Sequence, residues 1–191
     1  CVQRNTNETQ IEARVNLDAT KPVRIETGLG LFDHFVEQLA LHGGFSLELK
    51  AQGDLHVDEH HTVEDCALAI GSALDQALGQ RRGIGRYGFA LPMDEALAQV
   101  NVELAAIDLS GRPYYVQNGA LPRDQIGPLS SEMIQHFFHS LAQNLRAAIH
   151  LDIRGDNTHH MAEAMFKGVG RCLRQALVRQ GNSLPSSKGV L

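Results

Sequence analysis

Residues 58–65 read Asp58-Glu59-His60-His61-Thr62-Val63-Glu64-Asp65, and the spelling returns as His159-His160-Met161-Ala162-Glu163. Each is a histidine doublet with a glutamate one helical turn on, and four of the ten histidines sit in the two doublets. So uncommon a pattern occurring twice points to a duplicated scaffold. Whatever unit carries residues 58–65 is expected a second time.

Working outward, the match continues. Beyond the glutamates, Gly71, Leu74, Gln76, Ala77 and Leu78 meet Gly170, Leu173, Gln175, Ala176 and Leu177 at a constant offset. Upstream, Leu47-Glu48-Leu49-Lys50 parallels Leu151-Asp152-Ile153-Arg154, and His34-Phe35 matches His136-Phe137. Leu39-Ala40 matches Leu141-Ala142, and Arg14-Val15-Asn16-Leu17-Asp18 resembles Gln99-Val100-Asn101-Val102-Glu103.

Local patterns give each copy its elements. Ile11, Ala13, Val15 and Leu17 alternate with polar residues, as a strand with one wet side requires. A turn at Thr20-Lys21-Pro22 leads to a strand over 23–27. Leu31, Phe32, Phe35, Val36 and Leu39 form an apolar helical stripe that stops at Gly43-Gly44. A strand over 45–50, a loop over 51–59 and a helix from His60 or His61 to about Leu78 complete the first copy. In the second, Gly83 to Gly88 turns into a strand over 89–92, Met93-Asp94-Glu95 turns again, and 98–108 alternates. Ser110-Gly111-Arg112-Pro113 is a turn before a strand over 114–117. Residues 121–129 read as a loop, and Ser130 or Ser131 as the N-cap of a helix over 132–148. A strand over 149–154 and a helix from Thr158 to about Arg179 follow. The prediction is an α+β fold with internal duplication of a β-β-α-β-α unit, its sheets packed against paired helices. One domain is expected, with halves at about 4–82 and 83–180 and an aperiodic tail, 181–191.

Composition excludes several function classes. The hydrophobic fraction of 43% over 191 residues supports a packed core. A formal net charge of −5 argues against nucleic acid as the main partner, and the absence of tryptophan removes a base-stacking platform. No apolar run approaches the roughly 18 residues of a membrane helix, so no membrane role is expected. Residues 1–20 are polar, without a signal peptide's apolar centre. Three cysteines without a CxxC predict a cytoplasmic setting, with Cys66 and Cys172 as buried thiols.

Polar residues preserved between the copies need a reason that packing does not supply. On a helix, positions i and i+4 share a face while i+1 is turned by about 100°. His60 and Glu64 can hold one ion while His61 points elsewhere; His159, Glu163 and His160 repeat this. His34 and His136 complete two sets: His60, Glu64, His136 and His160 in one, and His159, Glu163, His34 and His61 in the other. Imidazole with carboxylate suits manganese, iron or zinc. For His42, His56, His139 and His150 ordinary hydrogen bonding is the simpler reading, although His42 shares a helix face with His34 and Gln38. Arg86, Arg112, Lys167 and the Ser186-Ser187-Lys188-Gly189 tail suggest an anionic, phosphate-bearing substrate. Arg81-Arg82 reads as a solvated helix end. A di-metal phosphohydrolase and a metal-buffering shell are alternatives. The first is disfavoured by a set dominated by histidine rather than bridging carboxylates, and the second leaves the basic residues and Glu8 without a task.

Phe32-Asp33-His34, His42-Gly43-Gly44, the two histidine stretches, Pro92-Met93-Asp94-Glu95, Ser110-Gly111-Arg112-Pro113 and Leu184 to Leu191 together resemble the imidazoleglycerol-phosphate dehydratase family, from about Arg4 to the C-terminus. The resemblance implies dehydration of imidazole glycerol phosphate to imidazole acetol phosphate in histidine biosynthesis, through a di-metal-bound imidazolate and a diazafulvene-like species. It implies two manganese ions per active site, sites formed between subunits, a twenty-four-subunit shell and a ribosomal protein S5 domain 2-like fold. By motif, Glu8 is the implied proton-transfer residue. Glu64, Glu163, His61 and His160 join it in catalysis, and Glu8 itself, Gln38, His42, Arg86, Arg112, Lys167, Ser186, Ser187 and Lys188 bind substrate. Asp94 is an orienting group. The tail resembles that of bifunctional forms in which a histidinol-phosphate phosphatase precedes this domain; no DxDxT motif occurs in these residues.

Overall fold

Backbone pairing sorts the expected strands into two equivalent sheets. The computed structural model describes residues 1–90 and 100–189, with side chains for all of these but 100–104. The first copy runs β1 (Val2–Asn5), β2 (Thr9–Asn16), β3 (Val23–Glu26), α1 (Gly30–Gly43), β4 (Ser46–Gly53) and α2 (His60–Leu78). The second runs β5 (Tyr87–Ala90), β6 (Val100–Asp108), β7 (Tyr114–Asn118), the short pair β8 (Gln125–Ile126) and β9 (Leu129–Ser130), α3 (Glu132–Leu145), β10 (Ala148–Gly155) and α4 (Thr158–Ala176). The sheets are ordered β1-β2-β4-β3 and β5-β6-β10-β7, the same order once the copies are matched. In each, the strand before the first helix pairs parallel to the strand after it, and the other pairs are antiparallel.

The β-β-α-β-α order holds, and each copy carries one further strand in front. Other differences lie at element ends. β4 continues through Gly53, where a loop was expected from Ala51, because Ala51, Gln52 and Gly53 pair with Ile11, Gln10 and Thr9. The loop over 121–129 contains the two-residue strands β8 and β9, too short for periodicity to reveal. α3 stops at Leu145 rather than Ala148, since Arg146 turns left-handed at φ 54, the place Gly44 takes at φ 69 after α1. α4 ends at Ala176, short of Arg179. Ser131 takes the N-cap position of α3 but makes no side-chain cap bond. Arg81 is a clear correction: it is 4% exposed and donates to the carbonyls of Leu145 and Arg146 and to Asp75, so it caps the end of α3 rather than meeting solvent. The turn at Met93-Asp94-Glu95 and the faces of Val100, Val102 and Leu104 lie outside the described residues and side chains.

The core lies between the sheets and the helices. Ile11, Ala13, Leu47 and Leu49 from one sheet, and Ala105, Ile107, Ile149 and Leu151 from the other, are buried. A phenylalanine cluster joins the copies: Phe35 stacks on Phe166 at 5.4 Å, and Phe137 lies 4.8 Å from Phe166 and 5.6 Å from Phe32. Cys66 and Cys172 are buried as expected.

The helices pair across the duplication, α1 with α4 and α2 with α3. Two matched glycines set the closeness. A Cβ on Gly71 of α2 would stand 2.8 Å from the Leu145 nitrogen and 2.9 Å from the Leu141 oxygen on α3. A Cβ on Gly170 of α4 would stand 2.6 Å from the Leu39 oxygen of α1. Alanine would favour the helix by about 1 kcal/mol, but backbone cannot give way as a flexible side chain can. The clash should win, so Gly170→Ala is expected to lose about 1–3 kcal/mol. Urea denaturation checks this: a midpoint at or above wild type would show that α1 and α4 do not approach so closely.

Candidate metal centre

The helix pairing brings together residues far apart in sequence. His34 of α1 meets His159 and Glu163 of α4, and His136 of α3 meets His60 and Glu64 of α2. In each trio the ligand atoms lie within 4.8 Å of one another. His34 Nε2 is 3.6 Å and His159 Nε2 3.8 Å from the two Glu163 oxygens. His136 Nε2 and His60 Nε2 are 3.6 and 3.7 Å from those of Glu64. These separations are too long for hydrogen bonds, yet they suit donors that face one shared point. His136 Nε2 is moreover buried with no hydrogen-bond partner, an orphan that a cation would satisfy. Imidazole and carboxylate donors at one point fit a divalent transition metal. The residues therefore fit a bound metal ion in both trios.

The expected sets of four are not assembled within the chain. Each trio forms, but His160 does not join His60, and His61 does not join His159. The reason is the helical turn between neighbours. His160 follows His159 around α4 and is exposed, its backbone N–H capped by Asn157. His61 turns toward the β1–β2 hairpin, with Nε2 3.8 Å from Glu8 and Nδ1 3.0 Å from Asp54. Asp54 thereby fixes which ring nitrogen faces outward. The Asp54 hydrogen bond raises the His61 pKa, against a smaller opposing effect of burial. Nothing in the sequence singled out Asp54, because it sits on an aperiodic loop.

The expected substrate residues fall in two places. Lys167 donates to Glu163 at 2.8 Å. His42 lies near it, and burial followed by the Lys167 and Arg171 charges lowers the His42 pKa. Gln38, between His34 and His42 on α1, is half-buried. Arg86 is already engaged: Nε and Nη2 donate to Asp108 at 2.7 and 3.1 Å, and Nη1 to the Pro185 carbonyl at 2.8 Å. It anchors the tail at Pro185, just before Ser186, Ser187 and Lys188. Arg112 is exposed next to buried Ser110.

Burial alone would raise the Glu163 pKa, but the Lys167 hydrogen bond and the charges of Lys167, His34 and His159 outweigh it and hold it below its usual 4.5. A lowered carboxylate pKa stabilises the fold above the unfolded value, and that contribution fades as pH falls through the folded one. In metal-free protein the thermal midpoints of wild type and Glu163→Gln should therefore differ fully above pH 4.5 and converge below it. Melts between about pH 6 and 3 check this; a gap that widens on acidification would reverse the sign.

Residues 27–173 match the family model described as imidazoleglycerol-phosphate dehydratase. The chain is 53% identical over 190 residues to the histidine biosynthesis bifunctional protein HisB of Stenotrophomonas maltophilia, covering 100% of this chain and 52% of that protein. It is 53% identical to the HisB protein of Actinobacillus pleuropneumoniae, covering 51% of it. The chain thus spans about half the length of these relatives. Among solved structures, IGPD from Pyrococcus furiosus superposes with a TM-score of 0.82 at 32% identity, covering 100% of both chains. Imidazoleglycerol-phosphate dehydratase from Staphylococcus aureus superposes at 0.79 with 34% identity, covering 94% of this chain and 98% of that one.

Proposed function

The chain belongs to the imidazoleglycerol-phosphate dehydratase family, and from that premise we propose that it is the hydro-lyase converting imidazole glycerol phosphate to imidazole acetol phosphate in histidine biosynthesis. The observation that carries the reading is the pair of crossed trios: His34, His159 and Glu163 on one side, His60, Glu64 and His136 on the other. Two ions, manganese in the first instance, are the proposed occupants. When bound, they supply Lewis acidity toward the two nitrogens of an imidazole ring.

The protein's own residues supply the rest. Glu8, beside His61 at the rim of α2, is the proposed proton carrier. Gln38, His42 and Lys167 line the approach along α1 and α4. Arg86 keeps the tail in place, so that Ser186, Ser187 and Lys188, with Arg112, hold the phosphate by charge-assisted bonds. The fourth imidazole of each ion, His61 or His160, comes from a second copy of the chain. Self-association into a large shell has support in the exposed apolar side chains of Tyr87, Phe89 and Tyr114, at 57%, 61% and 57% exposure. The chain is proposed to act as one domain, with halves at about 4–82 and 83–180 and a substrate-binding tail, 181–191. A cytoplasmic location is part of the proposal; no helix among the described residues is long and apolar enough to cross a membrane.

The test is an assay of the manganese-loaded chain with imidazole glycerol phosphate. The expected product is the ketone, with no inorganic phosphate. Phosphate release without ketone would replace the dehydratase with a phosphohydrolase.

A further inference from the structure

Burying a carboxylate costs free energy unless charge and hydrogen bonds compensate it. Asp65, the last residue of the opening motif, is 6% exposed and has both. Its Oδ1 accepts from Arg4 Nε at 2.6 Å and its Oδ2 from the Thr9 hydroxyl at 2.5 Å. Arg4 and Thr9 stand on the two strands of the β1–β2 hairpin, on either side of its turn. The turn is itself fixed: Thr6 Oγ1 lies 3.2 Å from Thr9 Oγ1 and accepts the backbone N–H groups of Glu8 and Thr9 at 3.1 and 3.0 Å. Thr6 N–H bonds the Thr9 carbonyl at 2.9 Å. Glu8 rides on this turn with its carboxylate reaching His61.

His61 and Asp65 are one helical turn apart on α2, so one face of the helix addresses the hairpin twice. His61 faces the Glu8 side chain, and Asp65 grips the backbone frame that carries it. We infer that Asp65 is a positioning residue: acting through Thr9 and Arg4, it sets where the Glu8 carboxylate stands. The inference rests on the proton-transfer role proposed for Glu8. Asp65 itself is buried, and each of its carboxylate oxygens is taken up by a hairpin residue. Its effect is therefore on orientation, where a displacement of about 1 Å costs about a hundredfold in rate.

The test is a kinetic double-mutant cycle on the metal-loaded chain: Asp65→Asn, Glu8→Gln and the double variant. Asp65→Asn should lower kcat about ten- to a hundredfold with little change in KM or metal content. The double variant should be no slower than Glu8→Gln alone, because Asp65 acts only through Glu8. Thr9→Val should reproduce the loss and Thr9→Ser, which keeps the hydroxyl, should restore kcat. Additive losses, or an unchanged kcat in Asp65→Asn, would overturn the inference. Should Asp65→Asn fail to fold, equal kcat for the Thr9 variants would overturn it as well. An inactive wild type would instead sink the dehydratase reading, and a fully active Glu8→Gln the role of Glu8.

Discussion

His159→Ala is expected to release one of two bound ions and to lower kcat/KM by about 10²- to 10³-fold or more, the scale seen when a group stabilising developing charge is lost. His159 is one of the two imidazoles in the α1–α4 trio around Glu163. Without it, His34 and Glu163 remain as a two-donor site, and Lys167, already 2.8 Å from Glu163, competes for the carboxylate. The ion of the α2–α3 trio should stay, because no residue of that trio is touched. His60→Ala should give the mirror result, with the α1–α4 ion retained. Metal analysis of the two purified variants checks both. Loss of both ions from either variant would mean that the trios are not independent, and loss of neither would remove these histidines from the ligand set.

Glu8→Gln is expected to be nearly as costly for turnover and silent toward metal. The Glu8 side chain is half exposed, so the fold has little to lose. The amide keeps the shape and removes the basic oxygen. Loss of a positioned acid or base typically costs about 10²- to 10⁴-fold, and kcat should fall by that amount. Full metal content alongside that fall would separate proton transfer from metal binding. A drop in KM affinity with intact kcat would make Glu8 a binding residue instead.

How far the sequence could be read depended on how local each feature is. The i, i+4 pairing of His60 with Glu64 and of His159 with Glu163 is a property of one helix, and it was legible at once. The addition of His136 to the first pair and His34 to the second came from matching the two copies, which the crossed helix packing realises. His61 and His160 do not join the trios within one chain, because side chains adjacent on a helix diverge: His61 lies against Glu8 and Asp54, and His160 is exposed. The roles of Asp54 and Asp65 are hidden in the sequence for a different reason. A lone acid on a loop, or one ending an acidic motif, looks solvated until its partners are known. Arg81 looks solvated on the same grounds, since only the packing of α2 on α3 reveals carbonyls in need of a donor. Strand ends such as Gly53, and strands as short as β8 and β9, are settled by pairing partners rather than by their own pattern.

Two crossed trios, each drawn from both copies of the repeat, are proposed to hold the metal ions. Anomalous diffraction at the manganese edge from crystals of the loaded protein tests it directly. Two peaks per chain are predicted, one among His34, His159 and Glu163 and the other among His60, Glu64 and His136. A single peak, or peaks at other side chains, would contradict it.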